Sequence, residues 1–102
     1  MQLLQTMRKA DQKAQLVSEK SVNALGHELI DRKLYPQALA VLNLNTQNFP
    51  KSANTWDSLA EAFFHCGDIP NAVHNYQRAL EVDATYSNAA AAKKFIDDHV
   101  QK

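Results

Sequence analysis

The sequence predicts an all-α protein, and three observations predict it. Only two glycines and three prolines interrupt 102 residues. No stretch alternates apolar and polar positions in the β-branched manner of a strand. A pattern of large and small apolar residues also recurs after 34 positions: Val22, Leu25, Gly26, Leu29, Ala38 and Leu42 in the first copy, Trp56, Leu59, Ala60, Phe63, Ala72 and Tyr76 in the second. Large residues lie on one helical face, and small ones stand where a second helix must come close. A mid-helix glycine costs about 1 kcal/mol relative to alanine, so Gly26 implies a compensating close contact.

Six helices are expected, taken in chain order. Residues 2–17 place Leu3, Met7, Ala10, Ala14 and Val17 at alternating spacings of four and three, one apolar stripe on a helix whose other face is Gln, Lys, Arg and Asp. Ser18 suits the N-cap of a second helix that runs to about Lys33, and Pro36 suits the first turn of a third, over 36–48. Phe49-Pro50 ends it, because proline cannot donate to the preceding turn and disfavours a helical residue before it. Ser52 is the next N-cap candidate, for a helix that runs to Cys66 and stops at Gly67, a residue that tolerates the left-handed C′ conformation. Asp68 caps a helix over 69–82 with Pro70 in its first turn, and Ser87 is placed to cap the last, over 88–101. The last helix carries Ala89, Ala90, Ala92, Phe95, Ile96 and Val100 on one broad face and Lys93, Lys94, Asp97 and Asp98 on the other, as a cap on an open stack requires. The first helix has the composition to seal the opposite end, to fold into a groove, or to pair with a second copy of the chain.

Composition narrows the functional classes. Eleven basic and eleven acidic residues cancel, which gives no electrostatic reason to expect nucleic acid or an anionic membrane as partner. The first fifty residues hold six Lys/Arg against four Asp/Glu and the remainder five against seven, an asymmetry too weak to name a partner. The single cysteine, Cys66, leaves no intramolecular disulfide to form. No apolar run approaches a membrane span and the opening MQLLQTMRKADQKAQ is too polar for a secretory signal, so a soluble chain is expected and its compartment is left open.

The recurring residues resemble the tetratricopeptide repeat, whose spacing is W-x2-L-G-x2-Y, A-x3-F, then P. That resemblance implies two helical hairpins, 19–52 and 53–86, in a right-handed α-α superhelix, with an extra N-terminal helix over 1–18 and a capping helix over 87–102. The stretch from Ser18 to Ile96, about three-quarters of the chain, with the strings VNALGHELI, ALAVLNLNTQNFPKSANTWDSLAEAFF and GDIPNAVHNYQRALEVDATYSNA, is similar to the tetratricopeptide unit at the C-terminal end of many bacterial serine hydrolases of esterase and β-lactamase-like kinds. By that resemblance the chain would be an interaction or scaffold module appended to a larger enzyme, with the hydrolase active site outside it. His27 departs from the family's usual aromatic, Cys66 precedes the usual Gly-Asp, and Ala84-Thr85 replaces a customary proline.

The resemblance also implies a concave groove lined by the first helix of each hairpin: Lys20, Asn23, His27, Ile30 and Asp31, then Asn54, Asp57, Glu61, Phe64 and His65. Repeats that clamp a C-terminal carboxylate place fixed cationic donors there. Asp57 and Glu61 stand here instead, so the expected partner is an apolar or basic peptide rather than an acidic tail, or the catalytic domain of the parent chain. The alternative is a homodimer formed through the N-terminal helix or the groove.

Catalysis by the chain itself is not expected. Asp57, Ser58 and His65 lie on one helix, where they cannot make the paired contacts of a hydrolytic triad, and no G-x-S-x-G, P-loop or G-x-G-x-x-G segment occurs. His27, His65, His74 and His99 show no metal-ligand spacing, and no cofactor or metal is expected; a composite site of His65 and His99 across neighbouring helices is the one left open.

Overall fold

The computed structural model describes residues 19–100, with the side chain of Val100 excepted. The expected helix over 2–17 and the last two residues lie outside them. The described residues contain helices and turns and no strand. Helical residues 19–31 form α1, followed by α2 (Tyr35–Asn48), α3 (Ala53–His65), α4 (Ile69–Val82) and α5 (Ala89–Val100). Pro36 and Pro70 sit in the first turns of α2 and α4, where no intrahelical N–H is lost. Asp68 caps α4 by accepting from the backbone N–H of Asn71 at 3.3 Å. Ser52 is the residue before α3 but does not cap it with its side chain. Its hydroxyl donates instead to Glu19 Oε2 at 2.6 Å, tying the start of α1 to the α2–α3 turn.

The 34-residue recurrence extends from side chains to the backbone. The N–H of Leu34 donates to the carbonyl of Leu29 and that of Lys33 to Ile30; 34 residues later Asp68 donates to Phe63 and Gly67 to Phe64. These are the paired bonds of a Schellman C-terminus, with Lys33 (φ 63°) and Gly67 (φ 89°) in the left-handed position. The turns leaving α2 and α4 also correspond: Phe49 donates to Asn45 and Ser52 to Phe49, as Asp83 does to Ala79 and Tyr86 to Asp83. Lys33 holds a conformation that costs an L-residue about 1–2 kcal/mol. Lys33→Gly should therefore raise stability by about 1 kcal/mol after the extra chain entropy of glycine is deducted, read as a higher denaturant midpoint at unchanged m-value.

Packing divides into two apolar clusters. Ile30, Ala38, Leu42, Leu59 and Ala62 join α1, α2 and α3, with Leu29, Tyr35, Leu39 and Phe63 at their margin. Ala53, Ala60, Tyr76, Ala79, Tyr86, Ala89 and Ala92 join α3, α4 and α5, with Trp56, Phe95 and Ile96 packed against them. Gly26 serves the close approach its position implies: a Cβ there would lie 2.3 Å from Leu42 Cδ2 and 2.4 Å from Leu42 Cγ. Tyr76 is buried, whereas Trp56 and Phe63 are only half-buried. The Trp56 indole keeps its Nε1–H bonded to the Pro50 carbonyl at 2.9 Å and lies 5.3 Å beneath the Arg78 guanidinium.

Candidate functional site

Three alternate helices, α1, α3 and α5, contribute side chains to one strip, joined by contacts across the gaps between them. His27 on α1 meets α3 twice: its Nε2 lies 3.3 Å from Ser58 Oγ and its Nδ1 3.3 Å from Glu61 Oε2. A carboxylate only accepts, so in the neutral ring Nδ1 carries the proton and Nε2 accepts from the serine hydroxyl. His65, one turn further along α3, approaches the other oxygen of Glu61 at 3.8 Å. The two imidazoles thus use different carboxylate oxygens. Among the described residues no group of three or more His, Cys, Asp or Glu side chains is placed to hold a metal ion.

Ser58, His27 and Glu61 share the connectivity of a hydrolytic triad, assembled from two helices rather than one. Their surroundings do not suit nucleophilic attack. Ser58 is buried, and it sits in the middle of α3, whose N–H groups there are consumed by helical bonds rather than converging on an oxyanion. The contact ties α1 to α3. Asp57 ties α3 to the turn between α4 and α5 in the same way, accepting from the Tyr86 hydroxyl at 2.5 Å and from Asn88 Nδ2 at 2.8 Å.

Aromatic side chains continue the strip toward α5. Phe64 is 42% exposed and packs edge-on against Phe95, ring centroids 5.3 Å apart. Phe95 in turn touches Tyr76 at 4.8 Å and stacks on His99 at 4.1 Å. Asn54 and Lys20 are exposed, as is Asp31. Asn23 is half-buried and its Oδ1 accepts from Asn45 at 3.0 Å. Ile30 departs from expectation: it is buried among Leu42, Leu59, Ala38 and Ala62 and lines no surface. Its counterpart 34 residues on is the exposed Phe64, so one helical position serves the core in α1 and the surface in α3. A separate open cavity of about 450 Å³ lies at the opposite corner of α1, lined by Glu19, Asn48, Phe49, Pro50, Lys51 and Ser52.

Burial raises the pKa of both strip tyrosines well above the usual phenol value. The hydrogen bond to Asp57 adds to this at Tyr86, and the Asp57 and Glu61 charges add to it at Tyr76. A folded-state pKa raised above the unfolded one contributes stability that is complete below about pH 10 and lost as pH rises beyond it. Denaturant midpoints should therefore be flat from pH 8 to about 9.5 and fall steeply above about pH 10. Asp57→Asn should shift the Tyr86 ionisation, read by absorbance at 295 nm, to lower pH.

Among the described residues no helix is long and apolar enough to cross a membrane. Comparison of the chain with protein-family models, and with curated proteins, finds no match.

Proposed function

We propose that this chain is a non-catalytic protein-interaction module of the tetratricopeptide kind, and that the strip shared by α1, α3 and α5 is its contact surface. The recurrence of whole turns at a 34-residue spacing supports the repeat. The observation that carries the assignment of the surface is Phe64: a phenylalanine 42% exposed, beside Phe95, on a strip whose carboxylates face hydroxyl and amide groups at Asp57 and imidazoles at Glu61 rather than lysine or arginine. Adjacent exposed apolar groups on a small chain mark a contact. The occupant that fits is a peptide with basic side chains flanked by apolar ones, whether free or displayed by a catalytic domain of a larger parent hydrolase.

Calorimetric titration tests this with two peptides, an amidated one alternating leucine and arginine and one ending in acidic residues with a free carboxylate. Saturable binding of the first alone is expected, weakened about tenfold or more by Phe64→Ala. Equal binding of both peptides, or of neither, overturns the proposal.

A further inference from the structure

The two ends of the helical stack are unlike. On α3 the stripe Thr55, Ser58, Leu59 and Ala62 is buried throughout, against α1 and α2: Leu59 and Ala62 join Ile30 and Leu42, Ser58 meets His27, and Thr55 Oγ1 donates to the carbonyl of Phe49. On α5 the corresponding positions 34 residues later are Ala89, Ala92, Lys93 and Ile96: the two alanines are buried against the second hairpin with Ile96 packed beside them, and Lys93 is exposed. Lys94, Asp97 and Asp98 are exposed as well, so the uncovered side of α5 is charged. On α1 the same stripe falls on Ser21, Ala24, Leu25 and Glu28. All four are exposed, and Leu25 is 46% exposed where its counterpart Leu59 is 4%. Sizes that admit a packed neighbour are kept at Ser21, Ala24 and Leu25, Glu28 stands where α3 has Ala62, and among the described residues no neighbour covers them.

We propose that residues 1–18 of this chain cover that face, docking Leu3, Met7 and neighbouring apolar side chains on Leu25 and thereby sealing the first hairpin. The segment is long enough. The thirteen helical residues of α1 extend about 20 Å at 1.5 Å per residue, which eighteen preceding residues span after a short reversal of about 2–5 residues. The segment is also apolar enough, with Leu3, Leu4, Met7, Leu16 and Val17 among its side chains. It is covalently joined at Glu19, so its effective concentration at the face is of millimolar order. A second copy at micromolar concentration is outcompeted. This reading is independent of what occupies the strip.

Thiol labelling of the full chain tests it. In Leu25→Cys/Cys66→Ala, the new thiol should react with a maleimide at least about tenfold more slowly than the exposed native Cys66 does in the unaltered chain. Adding Leu3→Asp and Met7→Asp should restore the fast rate. In the unaltered chain, nuclear Overhauser contacts should join the Leu25 methyls to the Met7 methyl at a concentration where light scattering gives a monomer. Labelling as fast as Cys66, protection that survives the two aspartates, or protection that appears only with a doubled mass each overturn the proposal, the last in favour of a second copy on the same face.

Discussion

Leu42→Ala is expected to destabilise the chain by about 3–5 kcal/mol, and Gly26→Ala by about 1–3 kcal/mol, yet the two together should cost less than Leu42→Ala alone. Leu42 is completely buried at the junction of α1, α2 and α3. Its truncation removes the side chain that fills the space over Gly26, and the backbones on either side are held by their own helices, so the void persists. Gly26→Ala fails for the opposite reason. Alanine would return about 1 kcal/mol of helix propensity, but its Cβ would stand 2.3 Å from Leu42 Cδ2 and 2.4 Å from Leu42 Cγ. Cγ is not a loose end that can rotate away, so the clash is relieved only by separating α1 from α2. In the double variant the new methyl enters the space the leucine vacated, and the propensity gain is then realised. Equilibrium denaturation of the four proteins gives the coupling energy, expected at about 1–3 kcal/mol; simple additivity would show that the two side chains do not share one space.

That a close contact falls at Gly26 was legible in the sequence, because a glycine amid helix formers costs propensity without one; that Leu42 is the side chain it meets was not, since that depends on how α1 packs on α2. Turns were legible for a similar reason, since Pro36, Pro70 and Gly67 each restrict or permit a backbone state locally. Lys33 shows where local signals stop. Nothing in its chemistry favours the left-handed region, and it adopts that region because Leu34 must bond back to Leu29 for α2 to begin where Tyr35 can pack. The helix consequently ends at 31, short of the expected Lys33. The final turn was the other weak point. Without a proline at Ala84-Thr85, the residues after α4 are ordered by Asp83, whose side chain accepts from both the N–H and the hydroxyl of Thr85.

The family resemblance names His27, Asp57, Glu61, Phe64 and His65 as residues of one groove, but pairings across helices depend on packing distances that no spacing within one helix encodes. Ser58 illustrates this: tested against residues of its own helix it has no partner, while the neighbouring helix supplies His27. Ile30 fails in the complementary way. Its position matches Phe64 in sequence, yet α1 has α2 and α3 packed against that position, so an equivalent place in the repeat becomes core.

Asn45→Asp should cost about 3 kcal/mol at neutral pH, and much of that loss should disappear on acidification. Asn45 is 1% exposed. Its Nδ2 donates to the carbonyl of Glu19 at 3.1 Å and to Asn23 Oδ1 at 3.0 Å, while its own Oδ1 is buried without a partner among the described residues. A carboxylate there loses both donations and faces the Glu19 carbonyl as one acceptor against another. Only the Asn23 amide can turn to donate, leaving most of a buried charge unpaired. Desolvation raises the carboxyl pKa in the folded state above its unfolded value of about 3.9, so the folded variant binds a proton that the unfolded chain releases. The penalty is therefore present at neutral pH and shrinks as pH falls through the raised folded-state pKa, since the neutral acid regains an O–H that can donate to Glu19. Denaturant midpoints of the variant and the parent should converge between about pH 7 and pH 4. Parallel curves over that range would place the side chain in contact with water and remove Asn45 from the buried tie between α1 and α2.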